Sequence, residues 1–145
     1  MTAFQAPGAT GSGNAELIAY LNGVNYPKLI GFNTLVVKIL GVTFAVVGGL
    51  CVGKEGPLAH IGANVGAAIG YFPFPRFDYL RNDRNKRELI AAGCSAGVSA
   101  AFGAPIGGAL FAYELSKPND FWKFSVLWKS FFACSIAVFF SAIFQ

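Results

Sequence analysis

The stretch Gly53-Lys54-Glu55-Gly56-Pro57 decides how this chain is read. It is a polar turn between two apolar, glycine-rich segments, residues 34–52 and 57–72. It sets one carboxylate where a membrane protein tolerates it least, and an ionisable side chain at bilayer depth marks function by default. Pro57 predicts the first residue of a helix, which leaves Glu55 facing that helix's free N–H groups. Such an end attracts anions. A carboxylate tethered there competes with free anions for the same place, which is the chemistry of a gate.

Composition points to a membrane. The 145 residues are 54% hydrophobic and 12% charged, with 18 glycines and a mean hydropathy of +0.54; soluble domains carry about 25% charged residues. The net charge of +4 does not indicate nucleic acid, because the basic residues fall in short segments between apolar runs rather than along a face. Cys51, Cys94 and Cys134 lie inside apolar segments without metal spacing or a disulfide framework, and read as packing residues. No charged-then-apolar signal peptide opens the chain, so the spans themselves direct insertion.

A straight transmembrane helix needs roughly 20 apolar residues. Residues 34–52 are long enough, with Lys38 placed to snorkel to the interface. Residues 57–72 are shorter and carry Gly62, Gly66 and Gly70 at four-residue spacing, a stripe that lets helices approach closely. Residues 89–113 are broken at Phe102-Gly103-Ala104-Pro105 and read as two half-length helices, the second starting at Pro105. Residues 126–144 form a Phe-rich final span with Lys129 near its start. Half-helices are tolerated in membranes when buried in protein or lining a cavity, and discontinuous helices whose N-termini meet near the midplane usually build an ion site.

Polar connectors at residues 22–28, 74–87 and around Pro118-Asn119-Asp120 separate these spans. Placed on one side, they gather ten of the eleven Lys and Arg residues there, Lys54 being the exception, and the positive-inside rule makes that side cytoplasmic. A second glycine turn, Gly11-Ser12-Gly13-Asn14, leads into a helix over residues 17–21 that is too short to span. Ser12 reads as its N-cap, with the following N–H groups pointing the same way as its hydroxyl. That alone is ordinary capping; beside the helix start at Glu55 it favours a bound anion.

Together, Gly11-Ser12-Gly13, Gly53-Lys54-Glu55-Gly56-Pro57 and the run from Gly97 through Phe102-Gly103-Ala104-Pro105 to Glu114 resemble the CLC family of chloride channels and chloride/proton antiporters. The motifs keep the family's order over nearly the whole chain after Gly11. The basic loop, Asn22-Gly23 and His60 look most like the endosomal–lysosomal branch. The resemblance implies an all-α, polytopic membrane protein with broken and re-entrant helices. Residues 11–145 correspond to part of the first half of an inverted-repeat transport domain, and residues 1–10 to a leader or truncated connector. It implies a homodimer with one anion pathway per subunit, no cofactor, chloride as the transported ion, and an endosomal–lysosomal or plasma membrane. The second half of the domain and a cytoplasmic nucleotide-binding tail are missing from the chain. By similarity Ser12, with Gly13, Asn14 and Gly56, binds chloride, Glu55 is the gating glutamate and Lys54 stands at the pore entrance.

Two departures bear on mechanism. The family usually has Ile-Pro where this chain has Asn14-Ala15, which removes a helix-start proline and adds a side-chain donor. That leaves chloride against nitrate selectivity open. Antiporters also carry two successive glutamates, the second accepting the internal proton, where this chain has Glu114-Leu115. Leu115 cannot carry a proton, so the reading favours passive voltage-gated chloride conduction, with an antiporter as the alternative.

Other classes fare worse. Residues 48–54 match the opening of a phosphate-binding loop, but Glu55 stands where Ser or Thr must hold magnesium, and it would repel phosphate. The chain does not read as an enzyme. A structural membrane subunit with glycine-rich packing is the outside alternative. His60 reads as a polar packing residue hydrogen-bonded to a neighbouring helix more readily than as a proton shuttle. Lys54 either draws anions or balances Glu55. Glu114 is expected at the cytoplasmic end of its helix, and Phe131, Phe132, Phe139, Phe140 and Phe144 read as bulk facing lipid or a partner.

Overall fold

The computed structural model describes residues 6–24, 29–71, 82–116 and 124–144, and among these every regular element is helical. A 3-10 turn at Pro7–Ala9 is followed by α1 (Asn14–Leu21), α2 (Phe32–Val47), α3 (Glu55–Tyr71), α4 (Asp83–Phe102), α5 (Pro105–Ser116) and α6 (Phe124–Ile143). The all-α class and the break at residues 102–105 agree with the sequence reading. Gly103 takes φ +65°, which glycine adopts without a Cβ penalty. Pro105 then opens α5, with the Gly108 N–H donating to the Ala104 carbonyl at 3.1 Å.

Several boundaries correct the expectation. Helix α3 begins at Glu55 rather than Pro57, since the Leu58 N–H donates to the Lys54 carbonyl at 3.0 Å. Proline fits anywhere in a first turn, where its missing N–H has no intrahelical partner. Helix α2 has 16 residues, about 24 Å, and falls short of the roughly 30 Å hydrocarbon core. It stops where Gly49, at φ +71°, forms a Schellman motif, with Leu50 N–H to Ala45 O and Gly49 N–H to Val46 O both at 3.1 Å. Helix α4 starts at Asp83, so residues 83–87 of the expected basic loop are helical. Asp83 suits the helix N-terminus, and Arg84 pairs with Glu88 one turn on at 3.7 Å. Residues 25–28, 72–81 and 117–123 of the three connectors lie outside the described residues. Cys51 is exposed in a turn, whereas Cys94 and Cys134 are buried as expected. Among the described residues α6 alone is both long and apolar enough to cross a membrane by itself, with 20 residues and a mean hydropathy of 1.8.

Helices α3 and α4 cross with backbone against backbone. A Cβ on Gly62 would strike the Gly93 carbonyl and one on Gly93 would strike that of Gly62; Gly66 meets Leu89 and Gly97 meets Leu58 in the same way. The expected stripe on α3 is thus met by a second stripe on α4. Around this crossing Leu17 and Leu21 of α1, Ala59 and Ala63 of α3, and Ile90 and Cys94 of α4 form the core. Lys129 of α6 bonds Glu88 of α4 at 3.2 Å, Lys86 lies over the Tyr71 ring at 4.8 Å, and the Arg87 Nη1 donates to Tyr20 O at 3.0 Å and Leu21 O at 3.4 Å. These contacts join the ends of α1, α3 and α4 to the early turns of α6. Trp128, Phe132, Phe139 and Phe140 stay exposed on α6, as a helix facing lipid or a partner requires.

Candidate anion site

Helices α1 and α3 begin side by side. A Cβ on Gly56 would lie 2.8 Å from the Ser12 Cβ and 3.3 Å from Asn14 Nδ2, so the first turn of α3 touches the loop that opens α1. Ser12, Gly13, Asn14 and Gly56, expected together from the sequence, are neighbours in space. Ser12 is not the cap, however. Gly13 takes that position at φ +79° and its carbonyl accepts the Leu17 N–H at 3.0 Å. The turn requires a left-handed residue, which glycine supplies, and Ser12 is displaced one position outward, exposed. Its Oγ accepts the Asn14 N–H at a long 3.5 Å, so the hydroxyl is only weakly engaged. Asn14 Oδ1 is buried and has no hydrogen-bond partner among the described residues.

Glu55 is the first residue of α3, and its carboxylate folds back over the preceding turn. Oε2 lies 2.6 Å from where a Cβ on Gly53 would stand, so Gly53 leaves the space that this carboxylate fills. Lys54 is exposed, and no ion pair links it to Glu55 among the described residues. A cavity of about 490 Å³ opens beside the turn, lined by Gly11, Ser12, Gly53 and Pro57 and by the α2 face that carries Val37 and Val42.

Below the site α3 presents a row of residues four apart. Gly56 meets the Ser12 loop. His60, fully buried, sits under Gly13 and bonds Leu29 O through Nε2 at 3.2 Å; because a carbonyl only accepts, that nitrogen carries the proton. Asn64 donates to His60 O at 2.9 Å and accepts the Gly31 N–H at 3.0 Å. His60 thus takes the packing place foreseen for it, against a loop rather than a helix. The sequence reading passed over this row because it followed the glycines. The four-residue recurrence of Gly56, His60 and Asn64 was the available signal.

Lys38 departs furthest from expectation. It does not snorkel: the residue is 2% exposed, and Nζ donates to Gly11 O at 2.7 Å and Ala9 O at 3.2 Å. Loop carbonyls solvate the ammonium closer at hand than any interface. No local pattern signals this, since the partners are 27 and 29 residues away.

At the far end of α5, Leu115 is half-buried against the core that includes Leu17 and Leu21, and its carbonyl accepts from Asn22 Nδ2 at 3.4 Å. Glu114 is exposed. The Leu115 position therefore offers an aliphatic contact and no titratable atom.

Comparison with known proteins shows the family. The family model described as voltage gated chloride channel matches residues 1–145. The chain is 44% identical over 146 residues to H(+)/Cl(-) exchange transporter 7 of Homo sapiens, covering 96% of this chain and 18% of that protein. It is 41% identical over 145 residues to chloride channel protein CLC-a of Arabidopsis thaliana, covering 95% and 18%. With chloride channel protein A of Dictyostelium discoideum the identity is 44% over 139 residues, covering 90% and 16%. The chain thus spans less than a fifth of the length of these relatives.

Proposed function

The chain belongs to the voltage gated chloride channel family, and we propose that it supplies the anion-binding and gating part of a chloride pathway. Family membership makes it a piece of an integral membrane anion transporter. The observation that carries the finer reading is the meeting of two helix N-termini, with Ser12 and Asn14 against Gly56, the residue after Glu55 at the head of α3. A chloride ion there is held by N–H and hydroxyl donors without a full counter-charge, so binding stays weak enough for release. Ser12, Gly13, Asn14 and Gly56 form the cradle, Glu55 competes for it as an anion, and Lys54 draws ions to the entrance. Protonation or displacement of Glu55 frees the path. The pathway is completed by the remainder of the transport domain, and two such subunits pair as a homodimer.

Passive conduction is the better reading because Leu115 is packed and aliphatic. Glu114 precedes it by one position, about 100° around the helix, and is a poor substitute as a proton relay. Coupled exchange is the second reading, favoured by the 44% identity to a protein named as an H(+)/Cl(-) exchanger. The test is the full-length protein in vesicles with a chloride gradient and a pH dye. Chloride flux without proton movement supports a channel. Uphill proton movement driven by chloride would make it an exchanger, and no anion flux would remove both.

A further inference from the structure

Lys38 is a buried cation that the anion cradle does not include, yet it holds the loop on which the cradle is built. Its ammonium bonds Gly11 O at 2.7 Å and Ala9 O at 3.2 Å. Gly11 takes φ +64°, although a Cβ there would meet nothing within 4 Å. Gly11 therefore serves the turn rather than a close contact, and the turn presents its carbonyl to Lys38. The peptide that joins Gly11 to Ser12 is planar and trans, so its N–H points opposite to its C=O. Fixing the Gly11 carbonyl on Lys38 therefore fixes the Ser12 N–H in the opposite direction. Gly13 at φ +79° turns the chain again, so Ser12 stands between two left-handed glycines, the first of them tied to a different helix.

We propose that Lys38 is a positioning residue for the Ser12 site: by tying the Ala9 and Gly11 carbonyls to α2, it sets the direction of the Ser12 amide and with it the preference among anions. This rests on Ser12 being part of the anion cradle. Lys38 also lines the cavity beside Ser12, and the Gly11→Ala variant separates the tether from the ammonium's own charge. The influence of the tether lies in anion selectivity more than in the amount of folded protein.

The experiment measures chloride over nitrate permeability from reversal potentials in the full-length protein, a ratio independent of how many molecules reach the membrane. Lys38→Met is expected to lower it about fivefold, the equivalent of one net hydrogen bond. Gly11→Ala keeps the ammonium but disfavours the φ that presents the carbonyl, and is expected to shift the ratio in the same direction. It also serves where Lys38→Met fails to assemble. An unchanged ratio in Gly11→Ala overturns the inference, even where Lys38→Met shifts it, because the charge and not the tether would then be acting. Ser12→Pro, which removes a hydroxyl and an N–H, separates the two levels. If it shifts the ratio and Lys38→Met does not, the cradle stands and the tether falls. Absence of any anion current in the wild type overturns the function and this inference together.

Discussion

The backbone of Gly13 rests on the imidazole of His60: a Cβ added to Gly13 would run into Nδ1 and lie 2.9 Å from both Cγ and Cε1. The glycine is required twice over, by its φ of +79° and by the ring beneath it. The loop opening α1 and the second turn of α3 therefore share one close contact.

Gly13→Ala should destabilise the fold by about 2–4 kcal/mol, combining left-handed backbone strain with overpacking. His60→Ala should relieve the second part, so the double variant should cost less than the sum of the singles. Unfolding midpoints in detergent for the four proteins measure this. Strictly additive losses would show that the ring contact is not what the glycine serves.

Glu55→Gln should remove the pH dependence of gating, because an amide is neutral at every pH and cannot compete as an anion. The variant is expected to conduct at neutral pH as the wild type does once Glu55 is protonated. Currents recorded as a function of pH decide it: a variant that gates with pH as before would exclude Glu55 as the gate.

The two glycine rows give a graded expectation. Gly62→Ala and Gly93→Ala each push a methyl into a carbonyl of the facing helix and should cost about 1–3 kcal/mol. Gly70→Ala meets only the Leu89 Cδ1 at 3.4 Å and the Lys86 Cγ at 3.9 Å. It should be neutral or gain up to about 1 kcal/mol of helix propensity. Equal losses at all three positions would contradict the packing described.

Arg87 closes the other end of α1. Arg87→Met removes two charge-assisted bonds to terminal carbonyls of that helix, and should cost about 1.5–3 kcal/mol. Amide exchange should accelerate over residues 17–24, the segment that the bonds hold. Protection unchanged in that segment would show that the core contacts of Leu17 and Leu21 suffice.

The sequence made the helix breaks legible because their causes are local. Gly103 and Pro105 carry their own backbone restrictions, and the apolar runs around residue 55 are too long and continuous for the alternating strands of a barrel. The starting residue of α3 was not legible, because a proline marks a first turn without fixing its first position. Ser12 was misplaced as a cap for a similar reason: the serine pattern is common, and only the backbone shows that Gly13 holds the left-handed turn. Residues 83–87 looked like loop because their charge outweighed their i,i+4 pairing. Lys38 and the Gly56–His60–Asn64 row depend on contacts with distant loops, which no periodicity within one helix records.

The glycine crossing also limits what kind of motion this molecule can use. Carbonyls of α3 and α4 seat in the notches left by Gly93, Gly97, Gly62 and Gly66, so sliding one helix along the other would bring each oxygen against a flanking side chain. The pair is held in register like a key in its wards. Under the gating proposed for Glu55, the motion asked of this end is a side chain swinging on a fixed post, fast and small rather than slow and large.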